Sequence, residues 1–341
     1  MKLGPFILRR LLLTIFVLIG LSMIIFIIAR VVPGDPARLA LGPTAPEEVV
    51  EQLRQELYLD KSLPVQYWIF LTNALHGEFG RSLVSRRLVS EDIKQYLPAT
   101  LELVFFSAIL TVFFGILLGT IAAKNKDNWV DNLIRVFSYM GVSMPSFVIA
   151  IFFILIFGYA WPILPVLSRS SSQFHISRIT GFMVFDSLLA GNLNAAWDAF
   201  THLILPAAAL SLGKIFQEAR ITRSSMLDNL NKDFISSERG YGIPERVIMF
   251  KYLLKPSLIP TVSLMGMDIA ATIGSAFLVE LIFNWPGLSR YGINAMLLKD
   301  LNAIMGTVMI IGITFTFTNI IVDIIVAFLD PRITLVGAGG E

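Results

Sequence analysis

Apolar stretches long enough to cross a bilayer alternate with polar ones along this chain. A membrane helix needs about 20 apolar residues to cross a hydrocarbon core of about 30 Å, because lipid offers its backbone no hydrogen-bond partner. Residues 11–29, 103–123 and 301–322 meet that demand without a charge. The uncharged run 136–168 exceeds one span; Trp161-Pro162 and Pro165 predict a helix ending near Tyr159, with Pro145 kinking it near its start. Residues 256–284 form an apolar segment carrying Asp268 and Glu280. The sixth candidate, 202–221, is interrupted by Pro206, Lys214, Glu218 and Arg220, so hydropathy alone leaves it undecided.

Charge asymmetry decides it. Lys and Arg collect in cytoplasmic loops, most reliably in short ones. With the N-terminus inside and six crossings, the inside holds Lys2, Arg9, Arg10, Lys124, Lys126, eight basic residues from Lys214 to Lys255, and Arg332; the short outside loops hold Arg169, Arg178, Arg290 and Lys299. Without the crossing at 202–221 the eight-charge stretch would lie outside. The expected fold is therefore all-α and polytopic, six transmembrane helices with both termini cytoplasmic. Composition agrees: of 341 residues, 55% are hydrophobic and 15% charged, against about 25% charged in soluble domains. The net charge of +2 leaves no surplus that seeks nucleic acid. The lack of cysteine excludes disulfides, thiolate nucleophiles and Cys-ligated metals. His76, His175 and His202 are too scattered to suggest a metal site, and Gly213-Lys214 lacks the surrounding residues of a Walker A loop. If ATP drives this protein, another chain binds it.

The first apolar run follows Arg9 and Arg10, as a signal peptide's would. It exceeds a usual h-region, and Arg30-Val31-Val32-Pro33 follows instead of a small-x-small site, so an uncleaved span is expected. Residues 31–98 then lie outside the membrane. Thr44-Ala45-Pro46-Glu47 has the form of a capping box, with Val49, Val50, Leu53 and Leu57 following at helical spacing. A second helix is expected over 64–76, with Tyr67, Trp68 and Leu71 on its apolar side. Such small amphipathic helices form a cap or docking surface. The expected organisation is a first span with a cytoplasmic N-terminus (1–30), the extracytoplasmic segment (31–98), a five-helix core (99–332) holding a polar stretch at 228–255, and a tail (333–341).

Within that polar stretch, residues 233–242 read as a short helix closed by glycine, and Ile243-Pro244-Glu245-Arg246 starts a second. Gly240 and Gly242 permit the positive φ angles that re-aim a chain. Two short angled helices make a knob; a solvated linker is the bland alternative.

Here the chain resembles a family, the inner-membrane permease subunits of dipeptide and oligopeptide ABC importers. The polar stretch, with Gly242 and Leu258-Ile259-Pro260, is similar to the family's EAA loop, whose coupling helix docks into a groove on the ATPase subunit. Also similar are Pro33-Gly34-Asp35-Pro36, Pro98-Ala99-Thr100-Leu101-Glu102-Leu103, Ser143-Met144-Pro145, Thr180-Gly181-Phe182 and Ile204-Leu205-Pro206. So are Thr222-Arg223-Ser224-Ser225-Met226-Leu227, Glu280 with Phe283-Asn284-Trp285-Pro286-Gly287-Leu288, and Asp330-Pro331-Arg332. Each is weak alone; their order and spacing are strong. The coupling residues this implies are Ser236, Ser237, Glu238, Arg239, Gly240, Tyr241 and Gly242. Two departures stand out: Glu238 occupies a place usually held by alanine, and Ser289 one usually held by glycine, so the pairing ATPase is left open.

The resemblance implies a bacterial inner-membrane permease that forms half of a pathway for dipeptides or short oligopeptides, embedded in the lipid bilayer and performing no bond chemistry. A homologous second permease, two ATPase subunits that bind ATP and Mg, and an extracytoplasmic peptide-binding protein would complete it, with no cofactor in this chain. Glutathione, a nickel chelate or haem are alternative cargoes. Among the polar and charged groups in the spans, Asp268, Glu280, Asn319 and Asp323 are candidate pathway or intramembrane polar residues. Asp268 is open to a translocation-path role or an internal structural one, Glu102 and Glu280 to interfacial anchoring, and Asn319 and Asp323, four apart, to bonding each other or a neighbouring helix. The rival from another class is an ion-coupled secondary transporter using Asp268, but the inverted repeats it would favour are not evident. An intramembrane enzyme would need a nucleophile or metal motif that the sequence lacks.

Overall fold

A computed structural model describes residues 3–31, 36–42, 44–174 and 176–329. Lys2, Pro33-Gly34-Asp35, His175, Asp330-Pro331-Arg332 and the tail 333–341 lie outside the described residues. Among those described, the regular elements are helical, with a bridge between Arg81 and Leu88. In chain order they are α1 (Leu3–Val31), α2 (Pro36–Leu41), α3 (Glu47–Glu56), α4 (Leu63–Leu75), α5 (Val89–Lys124), α6 (Trp129–Ser143) and α7 (Ser146–Ile154), which continues as a π-helical turn, Leu155–Ala160. Then come α8 (Met183–Leu189), α9 (Leu193–Leu230), α10 (Asp233–Gly240) and α11 (Glu245–Val247), carried by a π-helical turn (Ile248–Leu253) into α12 (Leu254–Ser275). The last are α13 (Phe277–Ile282), α14 (Leu288–Leu297) and α15 (Leu301–Leu329).

Among the described residues, five stretches are long and apolar enough to cross a membrane: Arg10–Arg30, Val89–Lys124, Leu193–Leu230, Glu245–Ser275 and Leu301–Ile325. The pair α6 and α7 qualifies together but meets at 105°, the geometry of a broken span or a re-entrant loop, so the helices supply five crossings, or six with this pair as one. The kink expected at Pro145 is thus a full break. A proline disfavours helical backbone in the residue before it and supplies no N–H; here Met144 turns extended at φ −93°, ψ 122°, and Pro145 becomes the N-cap of α7. The helix beyond ends at Ala160, next to the expected Tyr159.

The chain divides into two compact units, with boundaries inside α5 and α15. One comprises Leu3–Thr100 and Pro286–Thr316. In it, the Phe26 ring of α1 meets Tyr67 of α4 at 5.4 Å, and the Ser22 and Tyr67 hydroxyls lie 2.9 Å apart. Trp68, expected on the apolar side of α4, is 65% exposed. The expected capping box does not form. Pro46 caps α3, so Glu47 is the helix's first residue and cannot reach back from the third, and its carboxylate is held by Arg38 instead. At the other end of the unit, Leu288 N–H donates to the Thr100 hydroxyl at 2.8 Å, tying two motif segments together.

The second unit comprises Leu101–Trp285 and the described residues from Phe317 onward. Its centre is α9, against which α6, α7, α8 and α12 pack. Buried small residues, among them Ala195, Ala199, Ala207, Ala209, Ser211 and Ala219, allow that crowding. At Gly213 a Cβ would come within 2.9 Å of the Gly141 carbonyl oxygen, so only glycine permits this approach of α6 to α9.

Candidate functional site

Beyond α9 the chain builds the knob. Ile235 of α10 is fully buried among Met226 of α9, Ala123 of α5, and Ile248 and Leu253 of the π turn. Burial of one such side chain contributes about 1.5–3 kcal/mol, so α10 is anchored and not a solvated linker. Ser236, Ser237, Arg239, Gly240, Tyr241 and Gly242 are exposed, while Glu238 is half-buried. Tyr241 is 83% exposed, a large ring offered to the surroundings.

Of the two glycines expected to reverse the chain, Gly242 does so, at φ +72°. Gly240 instead ends α10, and Tyr241 follows it at φ −77°. Gly242 N–H donates to Arg239 O at 2.9 Å and Ile243 N–H to Glu238 O at 3.3 Å, closing the turn. Arg239 Nε then donates to Glu245 Oε1 at 2.7 Å, linking α10 to the start of α11.

A second polar assembly joins segments far apart in sequence. Glu102 on α5, only 1% exposed, accepts from Arg169 and, at 2.9 Å, from the Val184 N–H of α8. Arg169 also donates to Gly181 O at 2.8 Å and lies over the Trp285 ring at 5.5 Å. Asp186 of α8 gathers Thr180 N–H at 2.8 Å, Thr180 Oγ1 at 2.6 Å, Gly181 N–H at 2.9 Å and Ile179 N–H at 3.1 Å. Burial pushes the Asp186 carboxyl up, but those hydrogen bonds outweigh it and hold the group below its ordinary 3.8. Glu102, Thr180-Gly181 and Trp285 come from three of the motifs that carried the resemblance. Arg169 looked like an ordinary loop charge; no local pattern marks its partner 67 residues away.

Between α9 and α12, Lys214 donates to Asp268 O at 3.0 Å and to the Thr272 hydroxyl, and Gln217 Nε2 donates to Asp268 Oδ2 at 3.1 Å. Glu218, fully buried, lies beside Asp268. The three polar residues that made 202–221 doubtful are thus divided: Lys214 and Glu218 turn inward to this cluster, and Arg220 remains exposed. Asp131 of α6, fully buried, receives Arg223 of α9 in a two-pronged pair at 2.5 and 2.6 Å. Sequence reading passed over this pair, although Arg223 stands in a quoted motif. Glu280 is fully buried in α13, just past the break at Ala276 that ends α12. Asn319 and Asp323 lie half-buried one turn apart on α15. Among the described residues no three His, Asp or Glu side chains are grouped to hold a metal.

Residues 115–335 match the family described as binding-protein-dependent transport system inner membrane component, and residues 3–104 match its N-terminal family. A probable D,D-dipeptide transport system permease of Escherichia coli K12 is 35% identical over 96% of this chain and 95% of its own length. A dipeptide transport system permease of Alkalihalophilus pseudofirmus is 35% identical over 95% and 98%, respectively. A glutathione transport system permease of Salmonella typhimurium is 33% identical over 96% and 98%.

Proposed function

The chain belongs to the binding-protein-dependent transport system inner membrane components and is a transmembrane permease subunit of an ABC importer, and from that premise we propose that it carries dipeptides or short oligopeptides, driven through the knob at residues 236–242. The cargo reading rests on the dipeptide permeases among its relatives; glutathione, named for another, is the alternative. Two ATPase subunits hold and hydrolyse ATP with Mg, a second permease completes the pathway, and an extracytoplasmic binding protein delivers the peptide. Both termini are cytoplasmic in this reading, which places the knob on the ATPase side and Arg169 outside.

The observation that carries the reading is the anchored but outward-facing knob. Ile235 is buried in a core shared with α5, α9 and the π turn, while Tyr241 and its neighbours stand free. A force applied to α10 by a closing ATPase dimer is thereby transmitted to the ends of three membrane helices. Asp268 acts as an internal brace: its bonds to Lys214 and Gln217 tie α12 to α9. Membership in a binding-protein-dependent family weighs against an ion-coupled carrier built on that residue.

The test is co-purification of the ATPase subunits with wild-type and Gly242→Val permease, followed by ligand-stimulated ATP hydrolysis in reconstituted membranes. Valine disfavours φ +72°, so α10 is misdirected and stimulation is lost while insertion persists. Normal assembly, stimulation and uptake in the variant would reduce the knob to a linker.

A further inference from the structure

Three arginines line one small cavity between α6 and α9, and the carboxylate nearby satisfies only one of them. The cavity, of about 170 Å³, is bordered by Arg135 and Tyr139 of α6 and by Arg220, Arg223 and Ser224 of α9. A single ordered water needs about 10–15 Å³ on this measure, so the space admits a larger group. Arg223 is spent on Asp131, which binds it through both Nε and Nη2 and takes Asp127 N–H at 3.0 Å with its remaining capacity. Asp127 adds only longer-range attraction to Arg223. Asp131 reaches Arg135 only by longer-range attraction, Arg220 forms no ion pair among the described residues, and both are exposed. Like charges that share a cavity repel, less where water reaches them; a bound anion removes what repulsion is left.

The depth of the cavity points to the anion's chemistry. Trp129, 75% exposed, and Tyr139, 58% exposed, flank Arg135 on α6, and on membrane-embedded helices exposed Trp and Tyr are enriched at the headgroup level of the bilayer. Anionic headgroups there present phosphate, which the planar guanidinium fork grips with two hydrogen bonds. Basic pockets between membrane helices on the cytoplasmic side suit this role. We infer that Arg135 and Arg220, with the Tyr139 and Ser224 hydroxyls beside them, bind the phosphate of an anionic phospholipid. The inference rests on the membrane orientation proposed above only for the leaflet it names. A lipid held there touches α9 near the Met226 end, where the knob's core begins.

Full-length permease, reconstituted in phosphatidylcholine nanodiscs with graded phosphatidylglycerol, is assayed by native mass spectrometry for retained phosphatidylglycerol. Arg135→Gln/Arg220→Gln is expected to weaken retention about thirtyfold, from the loss of two basic residues at an anionic surface. A control that removes exposed charges elsewhere, Lys126→Gln/Lys232→Gln, retains the lipid as wild type does. Should the glutamine pair lower the melting temperature, Arg135→Lys/Arg220→Lys keeps the charge but not the fork, and is expected to lose part of the retention at wild-type stability. Equal retention in wild type and both arginine variants, or equal loss in the control, would overturn the inference. Release of the lipid by millimolar inorganic phosphate would overturn its lipid source in favour of free phosphate. The readout needs neither ATPase nor cargo, so its failure leaves the permease reading untouched.

Discussion

The knob around α10 and the assembly around Arg169 are both polar structures on one unit, yet they are built by opposite means. In the knob, the bonds that shape the turn span few residues: Gly242 to Arg239, Ile243 to Glu238, Arg239 to Glu245. Its polar side chains stand in solvent, and one buried isoleucine anchors it. Around Arg169, Glu102 bonds residues 67 and 82 positions away, and the carboxylates are buried with Arg169 half-buried beside them. Contacts within a turn form at little entropic cost, whereas long-range ones require the surrounding fold to exist first. The difference separates a part suited to being pushed by a partner from a part suited to holding a loop and two helices in fixed register.

Four changes test that difference, beginning with the largest effect. Arg169→Met leaves the Glu102 carboxylate buried without its cation, and removal of one partner of a buried pair costs about 3–5 kcal/mol. Thermal melting of the purified permease should fall steeply, and adding Glu102→Gln should restore part of the loss. An unchanged melt in the single variant would mean that the pair is not buried in the membrane-embedded protein.

Next comes Asp186→Asn, which weakens the four bonds wrapped around one carboxylate and is expected to cost about 1–3 kcal/mol. The folded carboxyl titrates below its ordinary 3.8, so the carboxylate's contribution is full at pH above that value and is lost as pH falls through the folded one. The gap in melting temperature between wild type and variant should therefore be wide at about pH 7 and narrow toward about pH 3. A gap that widened on acidification would contradict the assignment.

In the knob the effects on stability are smaller. Gly242→Val forces a β-branched residue toward φ +72°, a strain of about 1–3 kcal/mol, and as the loop is exposed the lower end is expected. Its effect on ligand-stimulated ATP hydrolysis should be much larger than its effect on the melt, the reverse of Arg169→Met, whose functional loss should track its stability. Smallest is Arg239→Gln, which removes an exposed pair with Glu245; such pairs contribute about 0–1 kcal/mol. A stability loss in Arg239→Gln as large as that in Arg169→Met would dissolve the contrast between the two regions.

Much of the knob was legible from residues 228–255, because a polar interlude, a proline and a glycine act within their own neighbourhood. Gly240 was misread for the same reason: both glycines permit positive φ, and only the hydrogen bonds actually closed after α10 select Gly242. At α3 a local motif misled in the same way, since Thr44 and Glu47 fit a capping box while Pro46 set the helix start and Arg38 took the carboxylate.

What the sequence determined by itself is the class of solvent each segment meets. Uncharged runs such as 103–123 and 301–322 commit their backbones to helices in lipid whatever surrounds them, because an unpaired peptide group is too costly there. The doubtful segment at 202–221 also belongs to a long helix, but the reason lay elsewhere: Lys214 is tolerated there because α12 brings the Asp268 carbonyl and the Thr272 hydroxyl to that face of α9. Tertiary structure likewise decided that α6 and α7 meet at 105° about Pro145 and that Arg169, Trp285 and Asp186 serve one assembly. Hydropathy and turn geometry are sums over near neighbours and are written along the chain, whereas the cation that meets the buried Glu102 carboxylate is delivered by a segment 67 residues away.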